Sequence, residues 1–85
     1  MDTLLIKYPI ATEKAIRMIE AENTLTFSVE RTARKPAIKK QVEELYKVKV
    51  TKVNTMITPK GTKRAYVRLA QNTPALDVAT QLGLL

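Results

Sequence analysis

The stretch from residue 48 to residue 69, VKVTKVNTMITPKGTKRAYVRL, decides the fold. Its first half, residues 48–58, is rich in β-branched side chains and therefore predicts a strand. The alternation slips at Thr51 and Lys52, which predicts a β-bulge or a late start of the strand there. Pro59-Lys60-Gly61 predicts a turn, because proline and glycine supply the backbone angles that tight turns need.

Residues 64–69 predict the partner strand of a β-hairpin, because apolar and polar side chains alternate along them. The apolar set should face the core, and its members are Ala65, Val67 and Leu69. The polar set should project from the opposite face, and its members are Arg64, Tyr66 and Arg68. One face of the sheet is therefore predicted to carry two arginines around a tyrosine.

Apolar residues at helical spacing predict two helices before the hairpin. The first covers residues 12–22, with Thr12 as the N-cap residue and Asn23 as the stop. The second begins at Pro36, a good first helical residue. Its predicted buried face consists of Ile38, Val42, Leu45 and Tyr46.

A third helix is predicted after the hairpin. Thr73 is its predicted N-cap residue, Pro74 occupies its first position, and Gly83 ends it after about Leu82.

The remaining segments predict strands. Residues 25–30 alternate strictly between apolar and polar, and residues 3–8 predict a short edge strand. A strand, a crossover helix and a second strand followed by a hairpin predict a split βαβ topology, in which the last strand lies between the other two and antiparallel to both. We therefore predict one α+β domain over residues 1–85, with an antiparallel or mixed sheet of three to four strands and about three helices.

The composition argues against an enzyme. The chain has no histidine and no cysteine, which removes histidine acid-base chemistry, thiolate nucleophiles and the usual zinc sites. Glu43 and Glu44 are successive helix residues that point in different directions, and we interpret them as part of a solvated helix face. With only two glycines there is no phosphate-binding loop. We predict no catalytic residue, cofactor, metal or small-molecule substrate.

No apolar run is long enough for a membrane span, and the first residues do not resemble a secretory signal. We therefore expect a cytoplasmic protein that does not insert into membranes.

The charge is unevenly distributed along the chain. Residues 31–68 hold twelve basic and two acidic residues, whereas the rest of the chain holds three basic and six acidic ones. A field of this kind attracts polyanions to one surface and leaves another free for different partners.

In the Arg64-x-Tyr66-x-Arg68 pattern, the guanidinium groups can bind phosphates and the tyrosine ring can stack on a base. An equal alternative is that a helix covers this face and that Tyr66 belongs to the core. Lys39 has Glu43 four residues later, so an ordinary helix ion pair is its alternative. The candidate RNA-binding residues are Arg34, Lys35, Lys39, Lys49, Lys52, Lys60, Lys63, Arg64, Tyr66 and Arg68.

An ordered set of motifs runs over nearly the whole chain. The motifs are Pro9-x-x-Thr12-Glu13-Lys14-Ala15, Phe27-x-Val29, Ala33-x-Lys35-x-x-Ile38-Lys39, Val42-Glu43, Val48-x-Val50-x-x-Val53-Asn54-Thr55, Gly61-x-Lys63-x-Ala65-Tyr66-Val67-x-Leu69 and Asp77-x-Ala79-x-x-Leu82-Gly83. Together they resemble one known family, the universal large-subunit ribosomal protein family number twenty-three, whose members lie beside the polypeptide exit tunnel. Only residues 56–64 intervene between Asn-Thr and Ala-Tyr-Val, so the long tunnel hairpin of bacterial members is not expected. The basic N-terminal extension of eukaryotic members is not expected either, and the chain resembles the archaeal type.

The resemblance implies a ribosomal protein of the cytoplasm that binds large-subunit rRNA and neighbours another ribosomal protein at the tunnel rim. It also implies docking of the signal recognition particle, the membrane translocation channel and ribosome-bound chaperones. Glu13, with nearby Arg17 and Glu20, is the candidate docking surface, although stabilisation of the helix dipole by Glu13 is a sufficient local role. The alternatives are a free-standing archaeal chromatin or RNA chaperone protein and a protein adaptor with a basic face.

Overall fold

In the computed structural model, which describes residues 4–84, a four-stranded antiparallel sheet carries three helices. The elements in chain order are β1 Ile6–Pro9, α1 Glu13–Glu22, β2 Thr24–Val29, α2 Lys35–Tyr46, β3 Val50–Ile57, β4 Lys63–Leu69 and α3 Ala75–Gln81. The strand order is β1-β2-β4-β3. The α+β class is confirmed.

The split βαβ topology is confirmed by the position of β4. This strand pairs antiparallel with β2 on one side and with β3 on the other, so the crossover through α2 joins two strands that are not neighbours. The pairing of β3 with β4 shifts between Val50 and Lys52, which is the predicted bulge. The predicted edge strand also forms, at Ile6–Pro9, and Thr3 of that prediction lies outside the described residues.

The hydrophobic core lies between the sheet and the helices. All three helices contribute to one buried cluster, together with alternate residues of the strands. The ring of the buried Phe27 stacks on that of Tyr46, a partly buried residue packed against the cluster, with 5.6 Å between the ring centroids. Burial raises the pKa of the Tyr46 hydroxyl. The prediction that Leu45 is buried is wrong, since its side chain is 50% exposed. The buried stripe of α2 is narrow and runs through Ile38 and Val42.

The ends of α1 and α2 follow the sequence closely. The Thr12 hydroxyl caps α1 by accepting a hydrogen bond from the Ala15 N–H at 3.2 Å, as predicted. Asn23 ends this helix in the left-handed conformation, with φ of 52°. The second helix begins at Lys35, one residue before the predicted start, and its N-cap residue Arg34 makes no side-chain capping bond.

The predicted cap of α3 is wrong. Pro74 occupies the N-cap position, and the Thr73 hydroxyl lies 3.5 Å from the Asn72 side chain without capping the helix. The cap comes from the end of α1, because the Ala75 N–H donates to Asn23 Oδ1 at 2.6 Å. Gly83, at φ of 76°, follows the end of α3 as predicted.

Candidate nucleic-acid interface

The sheet face opposite the helices, which we call the open face, carries no acidic side chain. None of the four strand sequences contains aspartate or glutamate. The acidic residues of the described range, 4–84, lie in the helices and loops instead, so the sheet is the basic layer of this part of the chain. The strand register places on the open face the residues Tyr8, Thr24, Thr26, Ser28, Lys52, Asn54, Met56, Arg64, Tyr66 and Arg68.

Tyr66 lies at the middle of the open face. It pairs with Thr26 of β2 and with Asn54 of β3, and its side chain is half-buried. Arg64 and Arg68 stand two residues before and after it on the same strand, each about 7 Å away along the chain. All three described helices pack on the other face, so the alternative in which a helix covers Tyr66 is excluded for residues 4–84.

The central strand β2 is buried on both sides, although its open face has no helix above it. Its residues there are Thr24, Thr26 and Ser28, each no more than 5% exposed. The hydroxyl of Thr26 is the one buried side-chain oxygen in the described part of the chain that has no hydrogen-bond partner.

Tyr8 and Met56 also lie on the open face, and the sequence analysis did not select them. Tyr8 pairs with Ser28 on β2, and Met56 pairs with Arg64. Both side chains are exposed, at 58% and 44%. The sequence signal for Tyr8 was an aromatic residue in a predicted edge strand. The face of the sheet on which Tyr8 lies, however, depends on how β1 pairs with β2.

Lys63 lies on the helix side of the sheet and has a structural role. Its ammonium donates to the Ala33 carbonyl at 2.7 Å and to the Arg31 carbonyl at 3.5 Å. These bonds attach the loop before α2 to the hairpin. Lys60 lies at the exposed tip of this hairpin, where the Gly61 N–H donates to the Thr58 carbonyl at 2.9 Å.

Four further candidates lie at the borders of the sheet. Arg34 and Lys35 are exposed at the start of α2, and Lys39 is exposed one turn further on. Lys49 is exposed just before β3.

Glu43 is not part of a solvated helix face, contrary to our interpretation. Its side chain is half-buried, and Oε2 accepts a hydrogen bond from the Val50 N–H at 3.0 Å. The carboxylate therefore satisfies the first backbone donor of β3. Lys39 does not form the ion pair with Glu43 that the sequence spacing suggested. Within residues 4–84, the ion pair joins Glu13 and Arg17.

Glu13, Arg17 and Glu20 form a stripe on the outside of α1, opposite the buried Ala15 and Ile19. Arg17 Nη2 lies 2.6 Å from Glu13 Oε1, and both side chains are more than 70% exposed. Since α1 belongs to the helix layer, this stripe faces away from the open face of the sheet.

Within residues 4–84, no helix has both the length and the apolar character that a membrane crossing requires. Nor do acidic side chains in this range gather into a cluster of three that could hold a metal ion.

A basic sheet face with a central aromatic ring, supported by a layer of helices, is typical of small α+β RNA-binding proteins. Comparison with known proteins is more specific. The family model described as "Ribosomal protein L23" matches residues 4–76. The chain belongs to this family, as the ordered motifs indicated, and proteins of this family are structural and not enzymes.

Two relatives, each named "Large ribosomal subunit protein uL23", illustrate the similarity. The protein of Trypanosoma brucei brucei is 51% identical over 80 residues, which are 94% of this chain and 49% of the relative. The protein of Pyrobaculum aerophilum is 51% identical over 81 residues, which are 95% of this chain and 100% of the relative. The chain thus spans about half of the trypanosome protein and the whole of the archaeal one. Equal identity to both does not separate the archaeal from the eukaryotic type.

Proposed function

We propose that residues 1–85 act as a single rRNA-binding domain in the large ribosomal subunit, and that the open face of the sheet is the RNA contact surface. Family membership makes the chain a structural constituent of the cytoplasmic ribosome, with rRNA and other ribosomal proteins as its partners. This favours the ribosomal prediction over a free-standing nucleic-acid binder or an adaptor. The observation that carries the choice of surface is the uncovered Arg64-Tyr66-Arg68 row on a sheet without acidic residues.

The chemistry of this row fits an RNA strand. Guanidinium groups donate paired hydrogen bonds to phosphate oxygens, and a tyrosine ring between them can stack on a base. Most of the acidic residues lie on the helices, away from the open face, where they do not repel the phosphates bound there.

The test uses transcribed segments of large-subunit rRNA tiled along its length. The affinity of the chain for its best segment is measured over a range of KCl concentrations. Replacing Arg64 and Arg68 together by glutamine should flatten the salt dependence by roughly 0.7 to 0.9 log units for each phosphate that is no longer neutralised. Lys14→Gln, on the exposed side of α1, is the matched control and should leave the slope unchanged. An unchanged slope in the double variant would refute the choice of surface.

We also propose that Glu13, Arg17 and Glu20 contribute to a docking surface for the signal recognition particle and the membrane translocation channel at the tunnel rim. Their shared exposed face on the helix layer supports this proposal, because a partner there does not compete with rRNA for the open face. Charges of this kind act mainly on encounter rate and specificity.

Ribosomes carrying Glu13→Gln test this surface. We expect the signal recognition particle to associate more slowly with these ribosomes, while the ribosomes themselves assemble normally. Glu22→Gln removes the same charge from the opposite side of α1 and should have no effect. If both variants recruit the particle at the wild-type rate, Glu13 acts only on its helix and on Arg17.

A further inference from the structure

A groove of about 350 Å³ separates the first turns of α2 from the outer edge of β3. Its lining combines three lysines with apolar and small polar side chains. The residues that line it are Lys35, Pro36, Lys39, Thr51, Lys52 and Val53. It is distinct from the open face, although Lys52 belongs to both.

The three lysines of this groove are not paired with an acidic side chain of residues 4–84, where the ion pair joins Glu13 and Arg17. Lys35 and Lys39 stand on successive turns of one helix face, about 5–6 Å apart at their Cβ atoms. The carboxylate of Glu43, four residues after Lys39, accepts a hydrogen bond from the Val50 N–H and forms no ion pair with that lysine.

The local backbone increases this positive potential. The bulge at Thr51 allows Lys52 to line the groove, and the Thr51 hydroxyl secures the bulge by donating to the Arg68 carbonyl at 3.2 Å. In addition, α2 begins at Lys35 with no side-chain cap and no acidic residue in its first turn. The positive end of the helix dipole is therefore not compensated by a side chain.

We propose that this groove is a second RNA contact, which takes successive phosphates of the RNA backbone while Tyr66 meets the bases. Neighbouring like charges cost free energy in the unbound protein, and a phosphodiester chain relieves that cost by displacing counterions. Lys52 lies where the groove meets the open face, so one strand can pass from one site to the other around the edge of β3. This inference rests on the proposed function and specifies its contacts.

The charge pattern favours an RNA backbone over an acidic protein segment. The groove continues onto a sheet without acidic residues, and Arg68 lies directly beside Lys52 in the register. A repeating polyanion can meet this continuous basic surface at regular intervals.

The decisive variant is Lys35→Gln together with Lys39→Gln, tested on the rRNA segment that the wild-type chain binds best. Because two phosphates are then no longer neutralised, the slope of log affinity against log salt concentration should fall by roughly 1.4 to 1.8. Lys40→Gln is the matched control, because Lys40 is an equally exposed lysine of the same helix that does not line the groove. Thermal unfolding should be unchanged in all of these variants, since exposed charges contribute little to stability.

Each other outcome has a distinct meaning. If Lys40→Gln lowers the slope as much per lysine as the double variant, general charge and not the groove is responsible, and the inference is overturned. It is also overturned if the double variant binds rRNA normally, or if it loses only the binding of a poly-glutamate peptide. The variant with Arg64 and Arg68 replaced tests the proposed function independently of the groove. A reduced slope of log affinity against log salt concentration in that variant would support RNA contact at the open face, and an unchanged slope would refute it.

Discussion

Replacing Asn23 by alanine should destabilise the protein by about 4 kcal/mol, because its side chain connects three segments and its backbone is left-handed. Its Oδ1 accepts from the Ala75 N–H at 2.6 Å, and loss of a cap of this kind costs about 1 kcal/mol. Its amide lies within 3.0 to 3.1 Å of the carbonyls of Leu69, Ala70 and Thr73. With two hydrogens it can satisfy two of them at once, and each bond contributes about 1 kcal/mol.

The backbone adds to this effect. Asn23 has φ of 52°, a region that asparagine tolerates and that costs other residues with a Cβ about 1 kcal/mol. Asn23→Gly should therefore destabilise less than Asn23→Ala by about that amount, although it removes the same hydrogen bonds.

Urea and thermal unfolding followed by circular dichroism measure both variants. For Asn23→Ala, a loss of about 4 kcal/mol corresponds to a fall in Tm of roughly 16 to 32 °C for a domain of this size. Asn72→Ala, at an exposed neighbouring asparagine, is the control and should change stability by less than about 0.5 kcal/mol. A cost below about 1 kcal/mol for Asn23→Ala, or equal costs for alanine and glycine, would refute this account of the residue.

Three further predictions concern single side chains. Tyr66→Ala should weaken rRNA binding by about 1 to 3 kcal/mol while Tyr66→Phe binds normally, as measured by fluorescence anisotropy. If Tyr66→Ala instead lost several kcal/mol of stability, a core role would be indicated. Lys63→Met should lower the free energy of unfolding by about 1 to 2 kcal/mol, because the Ala33 carbonyl loses a charged donor, and unchanged urea unfolding would contradict this. Burial raises the pKa of Tyr46 above its ordinary value of 10.0, so the unfolded chain loses this proton first and stability should fall as the pH rises past that value. Between about pH 9 and pH 11, the free energy of unfolding measured in urea should fall less steeply for Tyr46→Phe than for the wild-type protein. Identical pH profiles would argue against the raised pKa of Tyr46.

The sequence predicted the secondary structure well wherever a local pattern was sufficient. The hairpin, its bulge at Thr51 and the cap at Thr12 each depend on residues a few positions apart, and all three are present. The failures have a common cause. Thr73 was selected as a cap by local spacing, but an amide from α1, distant in sequence, occupies that role.

The same distinction applies to the candidate site. Composition and alternation determined that the sheet is basic and that Arg64, Tyr66 and Arg68 share a face, because strand geometry alternates side chains regardless of context. The alternation also indicated which face packs on the helices, but whether a further element covers the polar face depends on the rest of the chain, and a strand does not encode this in its own residues.

By itself, the sequence determined the α+β class, the position of β4 between β2 and β3, the separation of charge and the family. Only the tertiary structure decided that Lys63 holds a loop, that Glu43 binds the backbone of β3, and that Lys39 is consequently left unpaired beside a groove. The physical reason is that a charged side chain interacts with the group that folding brings nearest. For Glu43 that group is the Val50 N–H, which would otherwise lose its hydrogen bond to water, and the lysine at helical spacing stays accessible to a different anion.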